Sequence, residues 1–328
     1  MGWINSDDYY APGAIDKVLK LFQKNPKLVM VYGLGRHVDL VGKNLGLYPT
    51  LDPTTNTKRF SEGSYICQPT VFFRRQVFKE VGLLDETLKT AFDFDFWFRI
   101  FSHYPKSKIG FINTVLANSR LHQLCLTRRL RETVALESMS VIANYQKYAP
   151  TNWALTYVEE LCERYPFIDS EKPLVTLVKE FLAKSKPFIE PSQFETLVKR
   201  LQEDYRLRLA KPQAFVSVQP DGWVSNKVLV KLRYTPGGPR TVQLRCTGGW
   251  PTKQQLNLSI SRSEGGVDII KLDTQEAFAL KLEAPEKSSE AFFTWTIETR
   301  QSFVPAKTIK KSKDHRSLSF RVESLSLS

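Results

Sequence analysis

The feature that most constrains the fold is a change of hydrophobic period near residue 210. After it, seven short segments alternate apolar and polar residues, which is the period of a half-buried β-strand. Turn signals separate them, among them Pro236-Gly237-Gly238-Pro239. The segments are 215–218, 228–232, 242–245, 256–260, 278–282, 292–297 and 318–322. Residues 211–328 are therefore predicted to form an antiparallel β-sandwich.

The preceding stretch, residues 127–210, has a helical period instead. Its apolar residues recur three and four positions apart between charged ones, which is typical of amphipathic helices. Five prolines interrupt the pattern: Pro150, Pro166, Pro173, Pro187 and Pro191. We predict three or four helices that connect the β-sandwich to the first part of the chain.

Residues 1–126 mix both patterns and are predicted to be an α/β domain. The run Leu28–Tyr32 is continuously apolar between Pro26 and Gly33, which indicates a buried strand. Further strands are predicted at 65–73, where Pro69 interrupts the ladder, and at 108–111. Helices are predicted over 14–22, over 74–81 before Gly82, and from Asp93 onward.

Two adjacent acids, Asp7 and Asp8, lie in the loop that leads into the first predicted helix. Pro12 suits the first turn of that helix. Neighbouring carboxylates repel each other, and oxygen ligands of this kind suit Mg²⁺ or Mn²⁺. The structural alternative is that the acids only favour the positive end of the helix. Composition alone favours that alternative, because acidic turns are common.

The charge balance points to anionic partners. The chain has 47 Lys and Arg against 34 Asp and Glu, a net charge of +13. Nucleotide diphosphates, acidic glycans and membrane surfaces fit this bias, whereas we find no nucleic-acid-binding signature and expect no nucleic acid partner. The four cysteines form no CxxC pair, which predicts reduced thiols in a cytoplasmic protein. We identify no signal peptide and no membrane-spanning run.

The segment around the acids resembles the metal-binding motif of the family 2 glycosyltransferases, and further family elements follow in the same order. They extend the resemblance over roughly residues 1–130. The elements are Asn5-Ser6-Asp7-Asp8 with Tyr10 and Pro12-Gly13-Ala14, Asn25-Pro26, Val31-Tyr32-Gly33, Cys67-Gln68-Pro69-Thr70 with Phe72-Phe73-Arg74-Arg75, Val81-Gly82 with Leu84-Asp85-Glu86, Asp93-Phe94-Asp95-Phe96-Trp97-Phe98-Arg99, and Arg120-Leu121-His122.

The resemblance implies a fold and roles for particular residues. The fold is the C-terminal part of a GT-A, Rossmann-like domain over residues 1–126. Asp7, Asp8 and His122 would bind Mn²⁺ or Mg²⁺, and Asp93 would be the catalytic base that takes a proton from the acceptor hydroxyl. The implied donor- and acceptor-binding residues are Asn5, Ser6, Gln68, Thr70, Asp95 and Arg120.

The same residues could instead have purely structural roles. Asp93 at the start of a helix is also an ordinary cap position, and Asp95 can pair with Arg99 one turn later. His122 fits a purely structural role as well. The sequence also departs from the family pattern, because Phe92 stands where family members often have Glu.

The acidic motif lies unusually close to the start of this sequence. In the family, about half of the catalytic domain precedes the acidic motif and supplies the pocket for base and ribose. Here only Met1-Gly2-Trp3-Ile4 precede Asn5. We therefore expect a truncated domain that binds its donor weakly or not at all.

The resemblance implies an inverting, metal-dependent transfer of sugar from a nucleotide-sugar to a glycan or lipid-linked acceptor, as in cell-surface polysaccharide synthesis. The alternative is a non-catalytic module that binds glycan or a protein. Trp223, Trp250 and Trp295 could stack on sugars, although core packing is expected for at least two of them. The basic run Lys307–Lys313 is most simply a solvated loop, or else a contact for an acidic polymer or for the inner membrane surface.

Overall fold

The computed structural model describes residues 1–122, 124–168, 170, 172–251, 254–263, 265–273, 276–286 and 291–328. The chain divides into two compact units. The first unit comprises residues 1–157 and 184–194, and the second comprises residues 158–183 and 195–328.

The first unit is built on a mixed five-stranded sheet. Its strands are β1 Tyr9–Tyr10, β2 Met30–Val38, β3 Asn44–Leu47, β4 Phe72–Phe73 and β5 Ile109–Arg120. The order is β1-β5-β2-β3, with β4 also paired to β2. Strands β2 and β5 are parallel, and the other pairs are antiparallel. The carboxyl ends of β2 and β5 therefore lie at the same edge of the sheet.

Helices cover both faces of this sheet. They are α1 Ala14–Lys24, α2 Gln76–Val81, α3 Phe92–His103, α4 Leu126–Arg129 and α5 Arg131–Gln146. Helix α1 buries Ala14 and Val18 against Val31 and Leu116. Helix α3 is apolar on most sides and contributes Phe96 and Trp97 to a separate aromatic core. The α/β character predicted for this part of the chain is confirmed.

Two strand predictions need correction. The predicted strand 65–73 is wrong over most of its length, because Gln68–Thr70 forms a 3-10 turn and only Phe72–Phe73 is a strand. Pro69 has no N–H for a ladder, and the Thr70 hydroxyl donates to the Cys67 carbonyl at 2.7 Å. The predicted strand 108–111 is the beginning of the much longer β5.

The predicted helical region contains α6 Asn152–Arg164, α7 Leu174–Ser185, α8 Pro191–Glu203 and the short α9 Tyr205–Leu209, in addition to α5. The division between the two units falls inside this region, within α6, α7 and α8. The helices are therefore shared by the two units. Among the described helices, none is long and apolar enough to cross a membrane.

The second unit is an antiparallel β-sandwich. Along most of its strands, buried and more exposed residues alternate. One sheet has the order β11-β10-β13-β8-β6 and the other β12-β9-β14-β7. The strands are β6 Ala214–Val216, β7 Trp223–Val224, β8 Lys227–Arg233, β9 Thr241–Thr247, β10 Gln255–Arg262, β11 Val267–Asp273, β12 Ala277–Glu283, β13 Phe292–Glu298 and β14 Phe320–Leu327, with a one-turn helix α10 Pro305–Thr308 before β14.

All seven predicted segments contain a strand, and the sequence reading missed β7 and β11. β7 has only two residues, and β11 leaves Val267 and Ile269 exposed at the sheet edge. The inner residues of both sheets form one core around Trp295, which is 1% exposed. Trp250 is also buried and Trp223 packs against the same core, so core packing of at least two of the tryptophans is confirmed.

Candidate active site

Asp7 and Asp8 lie at the edge where the parallel strands end. The chain turns at 5–8 and enters β1, which pairs with the carboxyl-terminal part of β5 through Tyr9 and Asn118. Asp8 Oδ1 accepts from the Arg120 backbone N–H at 2.8 Å, and its Oδ2 accepts from Asn5 Nδ2 at 3.4 Å. Burial raises the pKa of Asp8, and the charge of Asp7 raises it further. The two carboxylates are thus close enough to interact electrostatically.

Arg120 and His122 join the acids from the end of β5. His122 Nε2 lies 3.0 Å from Asp7 Oδ2, and Arg120 Nε donates to the Asp7 backbone carbonyl at 2.8 Å. The Arg120 guanidinium also lies over the Tyr9 ring, 5.4 Å from its centroid. Four residues that the sequence analysis placed at one site therefore lie together in the structure, although they are more than 110 residues apart in sequence.

The possible metal ligands at this edge are two carboxylates and one imidazole. Within the described residues, no group of three or more His, Cys, Asp or Glu side chains is arranged to hold a metal ion. Asp7 and His122 nevertheless bring a carboxylate oxygen and an imidazole nitrogen to 3.0 Å, and Asp8 adds a second carboxylate. Mg²⁺ is commonly bound by one or two carboxylates with phosphate oxygens completing the shell, and Mn²⁺ accepts similar ligands. A cation at this edge would need further ligands, such as phosphate oxygens, to complete its shell.

Asp93 lies at the beginning of α3, but not as its cap. The N-cap residue is Ala91, which has no side chain to accept a hydrogen bond, so the predicted cap position of Asp93 is wrong. Asp93 Oδ1 accepts from the N–H of Phe94 at 2.7 Å. Burial raises the pKa of Asp93 from 3.8 to about 6, against the lowering effect of the backbone hydrogen bonds. A carboxylate with such a pKa is suited to proton transfer near neutral pH.

The start of α3 is held instead by Glu137 of α5, which the sequence analysis missed. The Glu137 carboxylate accepts from the backbone N–H groups of Lys89, Thr90 and Ala91 at 2.8–3.0 Å. It also accepts from the Thr90 hydroxyl at 2.7 Å. These bonds lower the pKa of Glu137 although burial acts against them. The residue therefore fixes the loop directly before Asp93, and no local sequence pattern could reveal a contact over 46 residues.

The Trp3 segment that precedes the acids contacts both α3 and the turn that contains Gln68. The Trp3 ring stacks on Trp97 at 5.6 Å between centroids, and Gln68 Nε2 donates to the Trp3 carbonyl at 2.8 Å. Burial raises the pKa of the Cys67 thiol, and the negative charges of Asp8 and Asp93 raise it further. Asp8 and Asp93 therefore act electrostatically on the same buried group from two different elements.

The other predicted contact residues differ in their surroundings. Gln68 Oε1 and Trp97 Nε1 are buried without a hydrogen-bond partner among the described residues, Gln68 on a partly exposed side chain and Trp97 within the aromatic core. Asn5 and Ser6 are exposed beside the acids. Ser119, not predicted, hydrogen-bonds to Asp8 through its side chain. The polar run Asn118-Ser119-Arg120 at a strand end was the available signal for it.

Two predicted sugar contacts are corrected by the geometry. Thr70 is fully buried and its hydroxyl is bonded to the Cys67 carbonyl, so it cannot reach a ligand in this structure. Asp95 pairs with Arg99 at 2.9 Å, as the structural alternative predicted, and also accepts from Tyr145 at 3.3 Å. The Asp95 carboxylate is therefore occupied by Arg99 and Tyr145 and is not assigned to a sugar contact.

Comparisons with known proteins give distant relatives. No protein-family model matches the chain. A protein named uncharacterized glycosyltransferase from Rickettsia conorii is 23% identical over 230 residues, covering 64% of this chain and 34% of that protein. A protein of the same name from Rickettsia bellii is 30% identical over 131 residues, covering 37% of this chain and 18% of that protein. The chain thus spans about a third or less of the length of these relatives.

Solved structures give weaker likenesses. Staphylococcus aureus TarS residues 1–349 has a TM-score of 0.33 at 14% identity, with 61% of this chain and 58% of that chain covered. TmCBM61, solved with β-1,4-galactotriose, has a TM-score of 0.20 at 10% identity, with 35% and 68% covered. At these TM-scores the likenesses carry no argument about fold or function.

Proposed function

We propose that this chain carries the catalytic edge of an inverting, metal-dependent glycosyltransferase. The enzyme moves a sugar from a nucleotide-sugar to a hydroxyl of a glycan or lipid-linked acceptor in cell-surface polysaccharide synthesis. The similarity to proteins named glycosyltransferases supports glycosyl transfer. The observation that carries the proposal is the meeting of Asp7, Asp8, Arg120 and His122 at one edge, tied through Trp3 and Trp97 to the helix of Asp93.

Asp93 is the base in this proposal. With a pKa of about 6 it is mostly ionised at neutral pH and can accept the proton of the attacking hydroxyl. Burial makes it a stronger proton acceptor than an ordinary surface Asp. The Glu137 contacts to Lys89, Thr90 and Ala91 keep the start of α3 in one position, which helps to orient the base.

Asp7 and Asp8, with His122, are the residues that would hold Mn²⁺ or Mg²⁺. A bound cation neutralises negative charge that develops on a diphosphate leaving group. Arg120 adds a fixed positive charge at the same edge, since its guanidinium is anchored by the Asp7 carbonyl. A guanidinium is well suited to phosphate oxygens. The excess of positive charge on the chain is in keeping with an anionic donor.

Gln68 is the candidate for a contact to the acceptor or donor sugar. Its side chain is partly exposed, its Oε1 atom lacks a partner among the described residues, and its Nε2 donates to the carbonyl of Trp3 in the segment that leads to the acids. Leaving such an atom unpaired costs about 1–3 kcal/mol, which a sugar hydroxyl could offset. The alternative of a non-catalytic glycan-binding module is not favoured by the similarity to the relatives.

The test is sugar transfer by the whole protein as the cell makes it, followed as release of nucleoside diphosphate from a panel of nucleotide-sugars with Mn²⁺. Asp93→Asn is expected to lower kcat by about 10²- to 10⁴-fold. Asp95→Asn, two residues away, is the matched control and should stay within about threefold of wild type. Transfer that survives Asp93→Asn unchanged would remove the base, and with it the proposed mechanism.

A further inference from the structure

Large apolar side chains are exposed on two neighbouring segments at the edge that carries the candidate site. One segment is the β2–β3 hairpin, where Val41 is 88% exposed, and the other precedes and begins α4. We call this set the apolar rim. Its members are Leu40, Val41, Leu45, Leu47, Leu124 and Leu126. Single exposed apolar residues are ordinary, but a cluster of this kind marks an interaction surface.

The rim lies directly beside the candidate site. The Arg120 guanidinium that anchors the Asp7 carbonyl also donates to the carbonyls of Asp39 and Leu40 in the hairpin. The Leu121 N–H donates to the Val38 carbonyl at 2.8 Å, which holds the second segment to the base of the hairpin. The positive charge of Arg128 also acts on His37 and, after burial, lowers its pKa. Both segments therefore belong to one surface of the first unit.

This surface is positively charged as well as apolar. Residues 36–47 and 120–131 together contain six Lys and Arg but a single acid, Asp39. The Asp39 carboxylate is engaged within the hairpin, where it accepts from the N–H groups of Val41 and Lys43 at 3.0 and 2.8 Å. The remaining charge is carried mainly by basic side chains such as Lys43 and Arg129, which are exposed next to the exposed leucines.

We propose that the apolar rim docks the candidate site on an anionic lipid bilayer. Exposed leucines and valine can enter the boundary between headgroups and acyl chains, while Lys and Arg bind anionic headgroups. Tyr9, which is 38% exposed and near Gly42 of the hairpin, adds an aromatic side chain that prefers this interface. A protein partner would also cover apolar residues, but the one-sided positive charge favours the bilayer.

The consequence for substrate rests on the proposed function. A site held against a bilayer would meet an acceptor whose hydroxyl stands close to the headgroups, which is the position of a lipid-linked sugar. Docking itself does not depend on catalysis, because it uses residues outside the acidic cluster. A failure to bind vesicles and a failure to transfer sugar are thus separate results.

The experiment is co-sedimentation of this chain with vesicles of phosphatidylcholine alone and with 30% phosphatidylglycerol. We expect binding to the anionic vesicles that weakens as salt is raised. Leu40→Asp with Val41→Asp should weaken it by about tenfold or more. Lys43→Gln with Arg129→Gln should weaken it by roughly tenfold to thirtyfold, at about fivefold per charge.

Matched controls separate the rim from nonspecific effects. Val267→Asp with Ile269→Asp replaces an exposed apolar pair of the β-sandwich, and Lys307→Gln with Lys310→Gln removes charge from its basic run. Both control variants should bind vesicles like wild type, and all variants should keep the wild-type Tm. Equal binding to neutral vesicles, equal loss in the controls, or no vesicle binding would overturn the proposal. So would self-association of the lipid-free chain that the Leu40 and Val41 substitutions abolish while vesicle binding stays unchanged.

Discussion

Two carboxylates, one in each unit, differ in what sets their pKa. In the β-sandwich, Asp314 is paired with Arg316 at 2.7 Å, and hydrogen bonds from Arg316 hold its pKa at about 2. In the first unit, burial raises the pKa of Asp93 to about 6, with backbone hydrogen bonds as the only opposing cause. Such a carboxylate destabilises the fold when it ionises, which makes Asp93 a candidate for proton transfer.

A core substitution in the β-sandwich gives the largest expected effect. Trp295→Ala should lower the free energy of unfolding by about 3–5 kcal/mol, because it empties the centre of the core between the two sheets. Urea denaturation followed by circular dichroism measures it. Trp223→Ala is the comparison, since Trp223 is only partly buried and its removal should destabilise less. Equal losses would mean that burial does not rank these two positions.

In the first unit, Glu137 should matter nearly as much although it is a polar residue. Glu137→Ala removes the acceptor of three backbone N–H groups and one hydroxyl and should lower stability by about 2–4 kcal/mol. Its pKa is lower in the folded protein, so this stabilisation is present near neutral pH and is lost in acid as the carboxyl protonates.

Glu132→Ala is the control for that prediction. Glu132 lies on the same helix α5 and pairs with Lys184 at 2.6 Å, but both side chains are more than a third exposed. An exposed pair contributes less than about 1 kcal/mol. A Glu137→Ala variant that unfolds at the same urea concentration as Glu132→Ala would show that the α3 contacts do not stabilise the unit.

Asp93→Asn should stabilise the protein while it removes activity. The folded pKa of Asp93 is raised from 3.8 to about 6, so ionisation destabilises the fold as pH rises through about 6. The variant should exceed wild type by about 1–3 kcal/mol at pH 8, and the difference should vanish below about pH 4. Chemical denaturation across this pH range measures it.

The neighbouring carboxylate should respond with the opposite sign. Asp95→Asn weakens the pair with Arg99, in which both side chains are largely buried, and should destabilise the protein at pH 8. If Asp93→Asn also destabilises at pH 8, Asp93 is a structural residue with an ordinary pKa.

The smallest effect is expected on the surface of the β-sandwich. Lys227 and Glu298 pair at 2.8 Å across β8 and β13, and each side chain is more than half exposed. Lys227→Gln should change the free energy of unfolding by less than about 0.5 kcal/mol. A loss above about 1 kcal/mol, measured by urea denaturation, would contradict the expectation that this exposed ion pair contributes little to stability.

The sequence predicted most where the pattern is local. The alternation in 228–232 or 256–260 is a direct consequence of one buried and one exposed sheet face, and the structure confirms those strands. The helix from Asp93 was predicted as well. The strand at 65–73 failed because the side chain of Thr70 and the ring of Pro69 favour a turn over a ladder.

The candidate site was only partly accessible from sequence. The order of motifs predicted that Asp7, Asp8, Arg120 and His122 belong together, and they do lie together, although their roles remain predictions. Glu137 could not be found in this way, because its contacts depend on how α5 packs against the loop before α3. The same holds for the apolar rim, which exists only once β2, β3 and β5 have formed.

The most direct test of the central claim is calorimetry of this chain with Mn²⁺ and inorganic diphosphate, a probe that needs no pocket for base or sugar. We predict binding that requires both components, is lost in Asp7→Asn with Asp8→Asn, and is unchanged in Asp221→Asn with Asp314→Asn on the β-sandwich. Binding that is independent of Mn²⁺, or that both double variants weaken equally, would contradict the assignment of the acidic pair.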